Sequence, residues 1–234
     1  MLFRSCYIRQ KVPNELPLTL SNERRVLILD IEGLLLQSFE ITQGHLLQSL
    51  SRSMQIFSDE KGQVYYAVRK DVDVFLDFCF QFFEVWIWSC YTLTKAQQIA
   101  SICFHEHYQK FKVFLSNKSC QNANIMMGYR RVYHKNLTFV WDIFKDLHGD
   151  NTLIFDDTPY RVMWNMHGTY LIFPKMWNQT PVQLESFLEV TIIPWFLGWL
   201  CAKNKRIYTS NTIVNMSSDP KTNHVIKVYL SRRN

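Results

Sequence analysis

The sequence predicts an α/β domain built on an open parallel sheet with helices packed against it. Three observations carry that reading. Continuous apolar runs of strand length occur at Arg25–Leu29 (RVLIL), Val85–Trp88 (VWIW) and Thr152–Phe155 (TLIF). Such runs suit parallel strands buried on both faces. Segments with helical spacing lie between them, and each run stops at a polar residue: Asp30, Ser89 or the pair Asp156-Asp157. In open parallel sheets ligands bind beyond the carboxyl ends of the strands, so these residues are expected to converge on one crevice.

The composition agrees with one domain. The chain has 234 residues, 47% hydrophobic and 20% charged. That excludes a disordered chain, a collagen and a coiled coil, and leaves enough apolar material for a sizeable core. Gly 7 and Pro 7 are both low, which argues against long linkers. No internal repeat or second domain is visible.

In chain order, residues 1–21 read as an arm broken by Pro13 and Pro17. The domain is expected over 22–202. After RVLIL comes a second strand candidate at Val64–Val68, preceded by a turn at Lys61-Gly62. Asp71 to Phe82 has apolar residues at Val72, Phe75, Leu76 and Cys79, a helical spacing that Asp71 could cap. VWIW follows as a buried strand. Thr94–Phe104 reads as a helix, Lys112–Leu115 as a short strand and Leu137–Leu147 as a helix. TLIF and Tyr170–Phe173 complete the strands, and 181–202 is helical.

Residues 203–234 form a basic tail. They hold seven Lys and Arg against Asp219 alone, which accounts for the whole formal charge of +6. Such a tail is either a solvated end or a contact for an acidic partner or an anionic surface. The tryptophans do not interleave with basic residues, so nucleic acid is not the expected partner. They read instead as core or pocket walls, Met126-Met127 as packing, and His105 and His107 as helix-surface residues. No transmembrane span is expected: the most apolar stretch, Ile192–Ala202, has eleven residues, against the about 20 that a bilayer needs.

The six cysteines include no C-x-x-C pair, which points to a reduced intracellular protein; the nucleus or cytoplasm is the expected compartment, with the mitochondrion as the alternative. Four N-x-S/T sequons, with no signal peptide, read as chance matches.

Two acidic sites carry the chemistry. Asp30-Ile31-Glu32-Gly33 places a carboxylate at a strand end, with a second acid two residues on. Phosphoryl transfer through an aspartate uses such a pair, one to attack phosphorus and one to handle the proton. Asp156-Asp157 places two adjacent acids at another strand end, a costly arrangement without a cation, and hard oxygen ligands suit magnesium. Ser89 supplies a hydroxyl that could hold a phosphoryl oxygen.

At these residues the sequence resembles the haloacid-dehalogenase superfamily. Within it, the resemblance is to the branch of NLI-interacting-factor-like and RNA polymerase II C-terminal-domain phosphatases. The likeness runs from about Arg25 to Leu200 through LILDIEGLL, VRKDVDVFL, VWIWSCYTLTKAQQIA and LIFDDTPY, in the family's order. The tract Lys135–Phe173 is most similar to divergent plant members of this branch. The resemblance implies a Rossmann-like open parallel sheet and a magnesium-dependent protein serine/threonine phosphatase. It implies Asp30 as nucleophile, Glu32 as general acid and base, and Ser89 as phosphoryl holder. The metal would sit on Asp30, the Glu32 carbonyl and Asp157, with Asp156 behind them.

Two departures stand out. Glu32 replaces the family's second aspartate, and the family's lysine falls on Trp141 in FVWDIFKDL. Lys145, one helical turn on, could compensate; Lys135 is the poorer candidate. Two functions are therefore expected from this sequence. One is a phosphatase of weakened activity acting on a phosphoprotein. The other is an inactive pseudophosphatase that binds proteins. The receptor subunit of the mitochondrial presequence translocase is a precedent for the second, similar only at the domain level.

Overall fold

β1 (Val26–Leu29) is buried along its whole length because it lies between two parallel neighbours in the middle of a sheet. The structure, a computed structural model, describes residues 24–40, 42, 54–127, 129–166, 169–172 and 188–202. The expected arm and basic tail lie outside these residues, as do Trp177 and Phe173.

On one side β1 pairs with β5 (Glu84–Trp88), and β5 pairs with β6 (Val113–Leu115). On the other side it pairs with β9 (Thr152–Asp156), which carries β10 (Tyr170–Ile172) at the edge. The order β10-β9-β1-β5-β6 is parallel throughout. This is the open α/β sheet expected from the apolar runs.

Side chains of a strand alternate between faces, and here both faces are covered. Leu27 and Leu29 belong to a large cluster. Helices α1 (Val72–Phe82), α2 (Leu93–Cys103) and α5 (Ile193–Cys201) contribute Phe75, Ile99 and Phe196 to it. Val26 and Ile28 face the other way, onto Trp86, Trp88 and α3 (Leu137–Ile143). Thr92 caps α2 by accepting from Lys95 N at 3.3 Å, and Asn136 caps α3 by accepting from Thr138 N at 3.0 Å. A short helix α4 (Pro159–Val162) follows β9, started by its proline.

Several expectations are corrected. Val64–Val68 is a strand, but not of the main sheet. As β4 (Val64–Arg69) it is the centre of an antiparallel sheet between β2 (Leu36–Glu40) and β3 (Met54–Ser58). A second hairpin, β7 (Gln121–Met127) and β8 (Arg130–His134), also went unread. Asp71 does not cap α1 through its side chain. Its Oδ2 instead accepts from Leu188 N at 2.5 Å and Glu189 N at 3.2 Å, where the turn Leu188–Ile192 leads into α5. His107 is buried, 2% exposed, between Asp73 and Asp77, and Met126 is exposed rather than packed. Among the described residues no helix is long and apolar enough to cross a membrane.

Candidate active site

The parallel sheet delivers its strand ends to one place. Asp30 follows β1 and donates its backbone N–H to Phe155 O at 2.9 Å, which fixes it beside the end of β9. Asp156 ends β9, and Asp157 follows. Asp30, Asp156 and Asp157 are all buried, and one carboxylate oxygen from each lies within 4.8 Å of the others. Ser89 follows β5, is buried, and accepts from Tyr91 N at 3.2 Å through Oγ.

Three carboxylates in so small a space repel one another. Burial raises Asp30 above the usual carboxylate range despite the nearby Lys135 charge. Burial, then the charges of Asp156 and Asp30, push Asp157 up to about 8. Cations offset part of this. Lys135, fully buried, places Nζ 2.9 Å from Asp30 Oδ1 and 2.5 Å from Asp156 Oδ2. Burial alone would lower the lysine's pKa, but the two carboxylates outweigh it and hold Lys135 charged. Arg161 of α4 donates to Asp30 Oδ2 at 3.4 Å.

The lysine expected at Trp141 is therefore Lys135. Trp141 is turned away, packed on the Trp86–Trp88 face of the sheet, and donates its indole N–H to Thr152 Oγ1 at 3.3 Å. Lys145 is exposed and, among the described residues, pairs with Asp142 at 3.9 Å. Lys135 is set in place by its backbone, not by a helix. Its N–H donates to Arg161 O at 2.7 Å. Its carbonyl accepts from Asn165 Nδ2 at 2.8 Å, and the same Asn165 accepts from Leu137 N at 2.7 Å. One asparagine thus anchors both the lysine and the start of α3.

Gly33 allows the acids to close up. It has φ +86, and a Cβ there would overlap the Asp157 carboxylate. Asp157 Oδ1 accepts from Thr158 Oγ1 at 2.9 Å, while Oδ2 lies over Gly33. Asp156 is used differently: Oδ1 accepts from Thr158 N at 2.8 Å and Oδ2 meets Lys135. The donor set fits a hard divalent cation. It is all oxygen, clustered and buried, with three carboxylates brought within 4.8 Å of one another. Asp30 and Asp157 are suited to be direct ligands, with Asp156 held back by its own partners.

Glu32 sits at the margin of this cluster. Its Oε1 accepts from Gln37 Nε2 at 2.6 Å, Ser38 N at 2.9 Å and Ser38 Oγ at 3.0 Å. Its Oε2 accepts from Tyr91 OH at 3.2 Å. Burial raises its pKa, and the Ser38 and Tyr91 donors oppose that rise. Ser38 and Tyr91 also line a cavity of about 550 Å³ with Glu40, Thr42, Tyr66 and Lys95. None of these partners was read from the sequence.

A family model described as NLI interacting factor-like phosphatase matches residues 25–192. No curated protein sequence matches. Among solved structures, the chain is similar to fission yeast RNA polymerase II CTD phosphatase Fcp1, in a variant bound to beryllium fluoride. That match has 14% identity and a TM-score of 0.47, over 89% of this chain and 50% of that one. A second structure, of Fcp1 described as an essential RNA polymerase II CTD phosphatase, matches with 15% identity and a TM-score of 0.47. It is covered over 62% of its length by 89% of this chain. The chain thus spans less than two thirds of either.

Proposed function

This chain belongs to the NLI interacting factor-like phosphatase family, and from that premise we propose that it is a magnesium-dependent protein serine/threonine phosphatase. Asp30 is its nucleophile, and an aspartyl-phosphate its intermediate. The observation that carries the proposal is the Lys135 ammonium held between Asp30 and Asp156 at 2.9 and 2.5 Å. A buried cation at the nucleophile offsets charge on the incoming phosphoryl group, the kind of electrostatic contribution that is usually the largest in catalysis.

Each residue then has a task. One Asp30 oxygen attacks phosphorus in line with the leaving serine or threonine oxygen. Lys135 and Arg161 hold non-bridging phosphoryl oxygens, and the Ser89 hydroxyl donates to another. Asp30, Asp157 and the Glu32 carbonyl would hold magnesium, with Asp156 behind them. When bound, the ion supplies further charge neutralisation at the phosphoryl oxygens. Glu32 protonates the leaving oxygen, then takes a proton from the water that cleaves the aspartyl-phosphate. Its raised pKa suits that exchange. Its extra methylene relative to aspartate is the reason to expect weakened turnover. The cavity beside Ser38, Tyr91 and Lys95 is suited to the protein part of a phosphoprotein substrate.

The inactive, protein-binding reading rested on Glu32 and on the lysine position at Trp141, and the placement of Lys135 beside Asp30 favours the active one. The free cysteines Cys79, Cys90, Cys103, Cys120 and Cys201 suit a reduced compartment, nucleus or cytoplasm. The test is magnesium-dependent release of phosphate from phosphoserine and phosphothreonine peptides, with trapping of acid-stable label on the protein. Label should form on the wild type and not on Asp30→Asn.

A further inference from the structure

Strand β8 runs straight into the candidate active site, because Lys135 is the residue after it. The hairpin β7–β8 is packed there on one face only. Ile125 and Val132 are buried against Tyr160 and Trp164, and His134 stacks on Trp164 with ring centroids 5.3 Å apart. Strand alternation sends the side chains between them to the opposite face. The register places Met126 opposite Arg131 and Asn122 opposite Tyr133. All four are exposed, Met126 by 48% and Tyr133 by 46%, and Tyr129 at the turn is exposed as well.

This outer face has the composition of an interface. Tyr, Met and Arg are enriched where proteins meet, and single-stranded β layers seldom leave such side chains bare without use. Its charge has one sign. Between Glu106 and Asp142 the sequence holds six Lys or Arg and no acid. Among the described residues Arg131 ion-pairs with no carboxylate, so its guanidinium is available to an acidic partner.

We propose that the outer face of the β7–β8 hairpin docks an acidic, extended segment of the phosphoprotein substrate, a reading that rests on the phosphatase assignment above. Arg131 takes a carboxylate through its planar fork of N–H donors, and Met126 and Tyr133 cover the apolar stem of that side chain. The distance sets the spacing. Arg131 lies four residues before Lys135 along the strand, about 13 Å at a rise of about 3.3 Å per residue. An extended peptide with its phosphoserine at Lys135 covers that span in about four residues. The preferred acids therefore start about four residues from the phosphoserine, rather than beside it.

The test is fluorescence anisotropy of a labelled serine peptide titrated with the whole chain. The peptide carries glutamates from about the fourth residue outward on both sides, and its control carries glutamines there. The glutamate peptide should bind about tenfold tighter, and Arg131→Glu should abolish the preference with the melting temperature unchanged. Added salt should narrow the gap. Tyr133→Ala should weaken both peptides alike. This binding needs no phosphate and no turnover, so it reads the surface even where the phosphatase assignment fails. On the phosphorylated peptide, Arg131→Glu should raise KM and leave kcat unchanged. Equal affinity for the two peptides, or a preference that survives Arg131→Glu, would overturn the proposal. Single-stranded DNA that displaces the glutamate peptide and loses its own binding in Arg131→Glu would also overturn it, assigning the face to nucleic acid.

Discussion

Lys135 Nζ lies 2.9 Å from Asp30 Oδ1, and both side chains are fully buried. The lysine reaches Asp30 from the residue after β8, across a chain separation of about a hundred residues, and also holds Asp156. Removing it strands two carboxylates in a buried site. Breaking a buried pair from one side costs about 3–5 kcal/mol. Lys135→Met should therefore lower the unfolding free energy by that order, measured by urea titration, and abolish phosphate release. Retained activity in Lys135→Met would show that the cation is not needed.

Trp141 supplies the contrasting experiment. Because its indole packs against the sheet and donates to Thr152 Oγ1, a lysine there cannot approach Asp30. Trp141→Lys should give no gain in turnover and should lower the melting temperature. A gain in turnover would restore the sequence-based placement of the lysine.

Gly33 and Gly62 both have positive φ, +86 and +65, but only Gly33 faces an obstacle. Gly62→Ala should cost about 1–2 kcal/mol, the backbone price of the left-handed region alone. Gly33→Ala should cost more. It should also weaken magnesium binding in calorimetry, because the added Cβ displaces the Asp157 carboxylate. Equal effects of the two variants on magnesium binding would separate Gly33 from the site.

His134 gives a dependence on pH. It stacks on Trp164 with ring centroids 5.3 Å apart, and burial lowers its pKa below the usual histidine value. The folded state then binds fewer protons than the unfolded state. Stability is present above the unfolded pKa and is lost as pH falls through the window beneath about 6.5. The melting temperature should drop between pH 7 and pH 5, and His134→Gln should flatten that drop. An unchanged slope in the variant would assign it to other groups.

The main sheet was legible because its strands are buried on both faces, which writes them as unbroken apolar runs. RVLIL, VWIW and TLIF fall on β1, β5 and β9, and the acids ending the first and last, Asp30, Asp156 and Asp157, meet as expected. The hairpin β7–β8 was not legible, because its strands are exposed at alternate positions and read as polar coil; Gln121–Met127 buries only Ile125. That miss caused the misplaced lysine, since Lys135 takes its position from β8 and from Arg161 O. One local signal existed. Lys135 precedes the Asn136 cap of α3, where a helix disfavours a cation, so its charge needed a partner elsewhere.

The most direct test of the account is the hydrolysis of para-nitrophenyl phosphate by wild type and Asp30→Asn, side by side, with and without magnesium. The account predicts turnover by the wild type that requires magnesium and falls by at least about 1,000-fold in Asp30→Asn, as loss of a covalent nucleophile should. A folded wild type that binds magnesium yet releases no phosphate, or an Asp30→Asn variant as active as wild type, would contradict it.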